Sequence, residues 1–465
     1  MKYIVILGDG MADRPIKELG GKTPLQKAFK PNMDRLVRAG IVGKVRTIPT
    51  GFHPGSDIAN LNILGYNPVK FYSGRAPLEA ASIGIILKED DVAYRCNLVT
   101  LKFNRDRTKA VMDDYSCGHI TTEDARELIN EINREIGTEQ ISFYPGVSYR
   151  HIMVWSDGAL SSECVPPHDI TGKDIADYLP VGDGEDVLRS LMRKSTDILI
   201  RHPINKERVK RGEKPANCIW LWGQGKKLIL PAFKHKYSLE GALVSAVDLM
   251  RGIGICAGFK ILEVPGITGY LDTNYVGKAE AALKALEKGD FAYIHVEAPD
   301  EAGHSGNYTD KIKAIEDFDA LVVGAILKGM KSFDEYRILL LPDHATPIEF
   351  RTHTDEPVPF VIYDSKIIRK NEGIAFDESI TERDDIMVFE EGYKLMDYFI
   401  KGGSCKSIKC SPSPSPPIKG VPKAFGIKER FRTSRNDRKT VTDRVYKQTL
   451  IKRSGTYRGQ VLNPG

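Results

Sequence analysis

The chain has 465 residues, 41% of them hydrophobic, enough for two or three domains around a sizeable core. No stretch approaches the ~18 uninterrupted apolar residues of a membrane-spanning helix, which excludes a helical membrane protein. The net charge of +5 conceals an asymmetry: residues 403–465 hold fifteen Lys/Arg against three Asp/Glu, so residues 1–402 carry about −7.

The first apolar run, "YIVIL" (3–7), is too short for a signal peptide and reads as a buried strand. It ends at Asp9, between two glycines that allow close backbone approach. Next comes "GFHPGSDIANLNILGY" (51–66), where Ser56 follows a Pro-Gly turn and Ile58, Leu61 and Leu64 fall on one helical face. Ser56 thus stands where a helix begins. It is either that helix's N-cap or a nucleophile at its positive end.

Residues 85–235 have strands of their own ("RCNLVTLKF", "SYRHIMVW") and a helix capped by Thr121 or Thr122. The basic run "NKERVKRGEKP" that follows reads as a solvated loop or helix face, with phosphate binding as the rarer use of such a run. This stretch is expected to be a second domain inserted into the first. The first domain then comprises residues 1–84 and 236–402.

"FAYIHVEAPDEAGH" (291–304) and "YRILLLPDH" (336–344) are continuous apolar runs ending in polar residues, as strands covered on both faces do. Alternation of such runs with helical patterns predicts an α/β fold. The first run leads to Asp300 and, four residues on, His304; the second ends in Asp343 and His344; "RTHTDEP" adds His353. Ligands of open α/β sheets gather at the carboxyl ends of strands, which is where these residues cluster. With Asp9 and Ser56 they make three Asp, three His and one Ser, a mixed N/O set suited to Mn²⁺, Zn²⁺ or a similar divalent ion. Seven ligands exceed the needs of one catalytic ion, so two are expected. A two-metal site favours in-line phosphoryl displacement. A serine hydroxyl is a poor nucleophile at neutral pH, and such a site would activate it.

After "YKLMDYFIKGG" the sequence becomes low-complexity ("SPSPSPP") and then Arg/Lys-rich. Residues 403–465 read as a basic, disordered tail that cannot bury a core. A nucleic-acid-binding arm is the other reading of such a tail, though no groove-reading or aromatic-interleaved motif supports it. The seven scattered cysteines, odd in number and without a CxxC pair, point to structural thiols in a reducing cytoplasm.

Taken in order, Asp9, Ser56, Asp300, His304, Asp343, His344 and His353 resemble the alkaline phosphatase superfamily. More closely, "GDGMADRP", "TPLQKA", "GSDIANLNILGY", "RCNLVTL", "HDITGKDI", "NCIWLWGQG", "SAVDLMRGIG", "GYLDTNYVGKA", "HVEAPDEAGH" and "LPDHATP" resemble the archaeal-type cofactor-independent phosphoglycerate mutases. The resemblance runs to about residue 400 and does not reach the tail. It implies an alkaline phosphatase-like metal-binding domain with an inserted α/β phosphotransferase domain. The activity implied is interconversion of 3-phosphoglycerate and 2-phosphoglycerate through a phosphoserine on Ser56. One ion would be held by Asp300, His304 and His353, the other by Asp9, Ser56, Asp343 and His344. Mn²⁺ heads the candidate metals, with Mg²⁺, Co²⁺ and Zn²⁺ behind it. Within matching motifs, Arg75, Arg150 and His168 are candidates to grip the substrate, and Asp114 is a candidate general base. Arg75 or Arg150 as a domain-packing ion pair and His168 as a cap are the plainer alternatives. The expected partner is the small phosphoglycerate substrate, with no membrane or nucleic acid and with homo-oligomers left open. A metal-dependent phosphatase or phosphodiesterase on the same fold is the nearest competing activity.

Overall fold

A computed structural model describes residues 1–367 and 369–402; the expectation for the basic tail lies outside the described residues. Thirteen strands are described: β1 (Lys2–Gly8), β2 (Ile41–Val45), β3 (Asp91–Phe103), β4 (Ala110–Asp114), β5 (Ile141–Tyr144), β6 (Arg150–Ser156), β7 (Cys218–Lys226), β8 (Gly241–Val244), β9 (Lys260–Ile261), β10 (Phe291–Val296), β11 (Tyr336–Leu341), β12 (Val358–Asp364) and β13 (Met387–Phe389). They make an eight-stranded sheet in the order β13-β2-β12-β11-β1-β10-β8-β9 and a five-stranded sheet in which β3 pairs with β4, β6 and β7.

The large sheet owes its position in the core to apolar residues on both faces. Along β1, Tyr3, Val5 and Leu7 enter one hydrophobic cluster, and Ile4 and Ile6 enter another on the opposite face. β11 repeats the pattern with Leu339 and Leu341 against Ile338 and Leu340. The period-two alternation of side chains explains why these sequences look uniformly apolar rather than amphipathic. Each such side chain, fully buried, stabilises the fold by roughly 1.5–3 kcal/mol. β11, β1, β10, β8 and β9 run parallel, and β12 is antiparallel to both of its neighbours.

The second sheet is wholly antiparallel. Its strands lie in sequence between the helix Ala76–Ser82 and β8. Helices Thr122–Ile136 and Glu185–Leu199 pack their apolar sides, including Leu128, Ile132, Leu188 and Leu199, into its cluster. Thr121 is the N-cap of the first, its hydroxyl accepting from the Asp124 N–H at 3.2 Å.

The basic run near residue 205 is a largely solvated helix face, as expected, with Lys206, Lys210 and Arg211 exposed and one exception. Arg208, in the helix Pro203–Lys210, is buried. Its guanidinium donates to the Cys117 carbonyl and pairs with Asp124 and Glu213. The buried guanidinium, bonded to that carbonyl, ties the helix to the Cys117 turn, so at least one cation of the run is structural. Five cysteines are described, all free, and four of them are buried. Among the described residues no helix is long and apolar enough to cross a membrane.

Candidate metal centre

β11, β1 and β10 are neighbours in register: Leu7 lies beside both Leu341 and His295, so the three strands finish at one edge. Asp9 follows β1 directly, and Asp343 and His344 follow β11. β10 turns through Glu297 into the helix Ala298–Ser305, which carries Asp300 in its first turn and His304 in its last. The i, i+4 spacing places both on one face, their Oδ2 and Nε2 atoms 3.2 Å apart.

Ser56 is the first residue of the helix Ser56–Ile63, and the cap position falls to Gly55, with no side-chain capping bond. The serine is therefore not an N-cap. Its Oγ points instead to the strand ends, 3.0 Å from His344 Nε2 and 3.5 Å from Asp9 Oδ1. The helix is also buried on every side beyond Ser56, including Asp57, Asn60 and Asn62, rather than along one stripe. Those polar positions have partners in and around the site: Asn60 donates to Asp343 Oδ2 at 2.8 Å and accepts from the Tyr293 hydroxyl at 2.6 Å.

Asp300, His304 and His353 form one group of converging donors. His304 Nδ1 faces the Arg351 carbonyl at 3.0 Å, and His353 Nδ1 faces the Pro54 carbonyl at 3.4 Å. Carbonyl oxygens only accept, so Nδ1 carries the proton in both rings. Their Nε2 atoms face each other at 2.9 Å beside Asp300. Burial alone would lower His304, but the Asp300 carboxylate outweighs it and raises the ring to about 9, so the three groups together draw in a positive charge, a proton or a metal ion. The second nitrogen held by a backbone carbonyl is the usual support of a metal-ligating histidine.

Asp9, Asp300 and His344 form a second group, and Asp9, Asp343 and His295 a third. Burial, then the carboxylates of Asp343 and Asp300, raise Asp9 well above the usual carboxylate range. Burial would raise Asp300 too, but His353 and His304 outweigh it and hold Asp300 well below that range. His344, buried, is pushed down to about 4 and so offers its ring as a neutral donor. Crowded buried carboxylates among imidazoles form a donor set that fits divalent cations, and a bound cation would relieve the crowding.

The four candidate substrate residues lie toward the second sheet. Arg75 pairs with Glu79 at 3.4 Å, and Glu79 also takes a 2.8 Å bond from Arg95, whose guanidinium lies 4.2 Å from the Trp222 ring centre. Arg95 in turn feels the charges of Arg75 and Arg150. Buried Nε atoms of Arg75 and Arg150 have no hydrogen-bond partner. The His168 ring stands 5.5 Å from that of Trp222. Its pKa is lowered by burial and then, against Asp169, by the charges of Arg75, Arg95 and His304, which ties it to both the arginines and the metal centre. Glu301, on the Asp300 helix, feels Arg150. The surplus of guanidinium over carboxylate suits a small anion. Asp114 stands apart in kind: it accepts from the Ser116 N–H and hydroxyl, both at 2.7 Å, and meets Lys214 at 3.3 Å. These bonds outweigh its burial and lower its pKa, which weakens it as a base.

Four residues that the sequence reading did not single out belong to this region: His295, Asn60, Arg95 and Lys311. Each is a polar residue set among apolar or helical neighbours, as in "FAYIHV" or "VAYRCNLV". That interruption is the signal that could have found them. Lys311, fully buried, donates to the Ala12 carbonyl at 3.0 Å, Asp13 Oδ2 at 2.8 Å and the Thr346 carbonyl at 2.8 Å. It ties the loop after β1 to the loop after β11. Lys311→Met should cost about 3–5 kcal/mol, because it leaves the Asp13 carboxylate buried and unpaired. A lower urea midpoint at unchanged m-value would show this, and an unchanged midpoint would refute the tie.

Residues 38–205 match the family model described as 2,3-bisphosphoglycerate-independent phosphoglycerate mutase. A probable enzyme of that description from Geobacter sulfurreducens is 53% identical over 400 residues, covering 86% of this chain and all of the relative. Another from Methanosarcina barkeri is 51% identical over 385 residues, 82% of this chain and 95% of the relative. Among solved structures, a Pyrococcus horikoshii protein superposes with a TM-score of 0.71 at 29% identity, covering 86% of this chain and 96% of that one. A cofactor-independent phosphoglycerate mutase from Thermoplasma acidophilum gives 0.57 at 29% identity, covering 86% and 99%.

Proposed function

The chain belongs to the 2,3-bisphosphoglycerate-independent phosphoglycerate mutase family, and from that premise we propose that it exchanges 3-phosphoglycerate and 2-phosphoglycerate through a phosphoserine on Ser56. One observation carries the assignment of the serine. Its hydroxyl does no capping and converges with Asp9 and His344 at the ends of two adjacent strands. Two divalent ions, one on Asp300, His304 and His353 and one on Asp9, Ser56, Asp343 and His344, fit the donors present. When bound, they would favour the serine alkoxide and offset the charge gathering on phosphate oxygens. Mn²⁺ suits the mixed N/O set, and Mg²⁺, Co²⁺ and Zn²⁺ are the other candidates.

The protein's own groups do the rest. Ser56 gives up its hydroxyl proton and Oγ bonds to phosphorus as the bond to the glycerate oxygen breaks and that oxygen takes up a proton, while the helix N-terminus at residue 56 faces the phosphate with its positive end. Glycerate stays bound, turns, and presents its other hydroxyl to the phosphoserine. Arg75, Arg95 and Arg150 suit the role of holding its carboxylate, with His168 near both the arginines and the centre. Asp114, lowered in basicity, has the least support of the candidates and is better suited to hold Lys214 and the Ser116 turn. The division into residues 1–84 plus 236–402 and an inserted 85–235 agrees with the position of the second sheet in sequence. A cleft between two such domains would exclude water, which would otherwise hydrolyse the phosphoserine. The free cysteines suit a reducing cytoplasm.

A coupled assay on metal-stripped protein, with Mn²⁺, Mg²⁺, Co²⁺ and Zn²⁺ restored singly, tests the reading. The expected result is 2-phosphoglycerate formed from 3-phosphoglycerate, with free phosphate a minor product. Free phosphate as the main product would replace the mutase with the competing phosphatase.

A further inference from the structure

Two of the arginines assigned to the substrate share one carboxylate. Glu79, on the helix Ala76–Ser82, is buried. Its Oε2 accepts from Arg95 Nε at 2.8 Å, and its Oε1 lies 3.4 Å from Arg75 Nε. Arg75 stands four residues before Glu79, so the two share a face of the helix. Arg95 comes from β3, in the second sheet. Among the described residues, Glu79 is the only carboxylate in an ion pair with either guanidinium. Burial pushes Arg95 down to about 10, and Glu79 opposes that shift.

Both contacts use the Nε edge. Among the described residues, the Nη atoms of the two arginines meet no hydrogen-bond acceptor. A guanidinium holds its five N–H donors in one plane, one on Nε and four on the Nη pair. An arginine fixed at Nε therefore still offers the Nη pair, whose spacing matches the two oxygens of a carboxylate. Trp222 steadies Arg95 further. Its ring centre is 4.2 Å from the guanidinium carbon, and its Nε1 donates to Asn97 Oδ1 at 3.1 Å. The helix that carries Glu79 is itself firmly seated. Ala76 and Ala80 pack with Ala93, Ile152 and Val154 of the second sheet, while Leu78 enters the core of the large sheet.

We propose that Glu79 is a positioning residue: it holds Arg75 and Arg95 by their Nε edges and so aims both Nη pairs at the carboxylate of the bound glycerate. This rests on the mutase reading above and adds a residue that touches no substrate atom. Its consequence falls in the middle of the reaction. While the phosphoryl group is on Ser56, the carboxylate is the only charged group of the glycerate. If the arginines hold it loosely, glycerate leaves. Water then bonds to phosphorus and gives up a proton, the bond to Ser56 Oγ breaks, Oγ takes up a proton, and the product is free phosphate. Glu79 thereby sets the partition between isomerisation and hydrolysis.

The test follows 2-phosphoglycerate and free phosphate together, with 3-phosphoglycerate as substrate and the full-length, metal-loaded enzyme. Glu79→Gln keeps the size and one acceptor oxygen but turns N–H groups toward the other arginine. It is expected to raise KM by about 10–100-fold and to raise the share of turnovers that end in free phosphate. Added to Arg75→Ala, it should raise KM by less than it does in wild type, because the two residues act through one contact. Glu79→Asp keeps the buried charge but is one methylene too short to reach both Nε atoms, so it should show the same two changes even where Glu79→Gln fails to fold. An ion pair that only joined the two sheets would lower the melting temperature alone. Wild-type KM and phosphate share in either folded variant therefore overturn the proposal, as does full additivity with Arg75→Ala. An unchanged KM in Arg75→Ala, or no 2-phosphoglycerate from wild type, would overturn the underlying mutase site and the proposal with it.

Discussion

Ser56→Ala should fold normally and lose essentially all mutase turnover. The expected stability change is small. The hydroxyl caps nothing, and its single short contact is with His344. Loss of one such hydrogen bond costs about 0.5–1.5 kcal/mol. The expected kinetic change is total for the covalent route, because alanine has no oxygen to carry the phosphoryl group. A serine that served only the helix would show the reverse: a destabilised protein with near-normal turnover per folded molecule. Covalent capture gives an independent line. Wild-type enzyme quenched during turnover should carry one phosphate on the peptide "GFHPGSDIANLNILGY". An active Ser56→Ala enzyme, or phosphate trapped on a histidine, would overturn the assignment.

The residues that the sequence made legible share one property. They follow a recognisable strand: Asp9 after "YIVIL" and Asp343 with His344 after "YRILLL". The apolar runs announce buried parallel strands, and parallel strands align their carboxyl ends. Adjacency was the step the runs alone left open. Nothing in them says that β10 and β11 flank β1, which is what brings Asp300 and Asp343 to Asp9. For Ser56, helix periodicity located the first turn but left open whether the serine caps it, and the structure gives the cap to Gly55. His295 stayed hidden because a histidine inside an apolar run looks like a packed core residue. Its neighbour Asp9 comes from an adjacent strand that the local run does not show. Arg95 and Lys311 escaped for the same reason: burial and partners are set by tertiary neighbours, not by local pattern. Asp114 shows the converse. Its motif invited a catalytic reading, and the Ser116 turn and Lys214 that lower its basicity become visible only in three dimensions.

Substitution of Asp300 or His353 by alanine should nearly abolish turnover and remove one ion from the chain. Asp300 holds its group together: Oδ2 is 3.2 Å from His304 Nε2, and Oδ1 is 3.5 Å from His353 Nε2. Without it the two imidazoles retain no carboxylate between them, and a neutral pair binds a divalent ion far more weakly. Supporting residues around ligands are typically worth 10–100-fold in metal affinity, so loss of a ligand itself should exceed that. Thr346 supplies the graded comparison, since its hydroxyl hydrogen-bonds Asp300. Thr346→Val should therefore weaken metal binding by about 10–100-fold without emptying the position. Folding should survive Asp300→Ala, because His304 and His353 keep their carbonyl contacts to Arg351 and Pro54. Elemental analysis of the purified variants separates the outcomes. A drop by one ion per chain, with the wild-type circular dichroism spectrum retained, is the expected result. Full metal content together with lost activity would make Asp300 a substrate-positioning group, and full metal content with full activity would move the ion off this triad altogether.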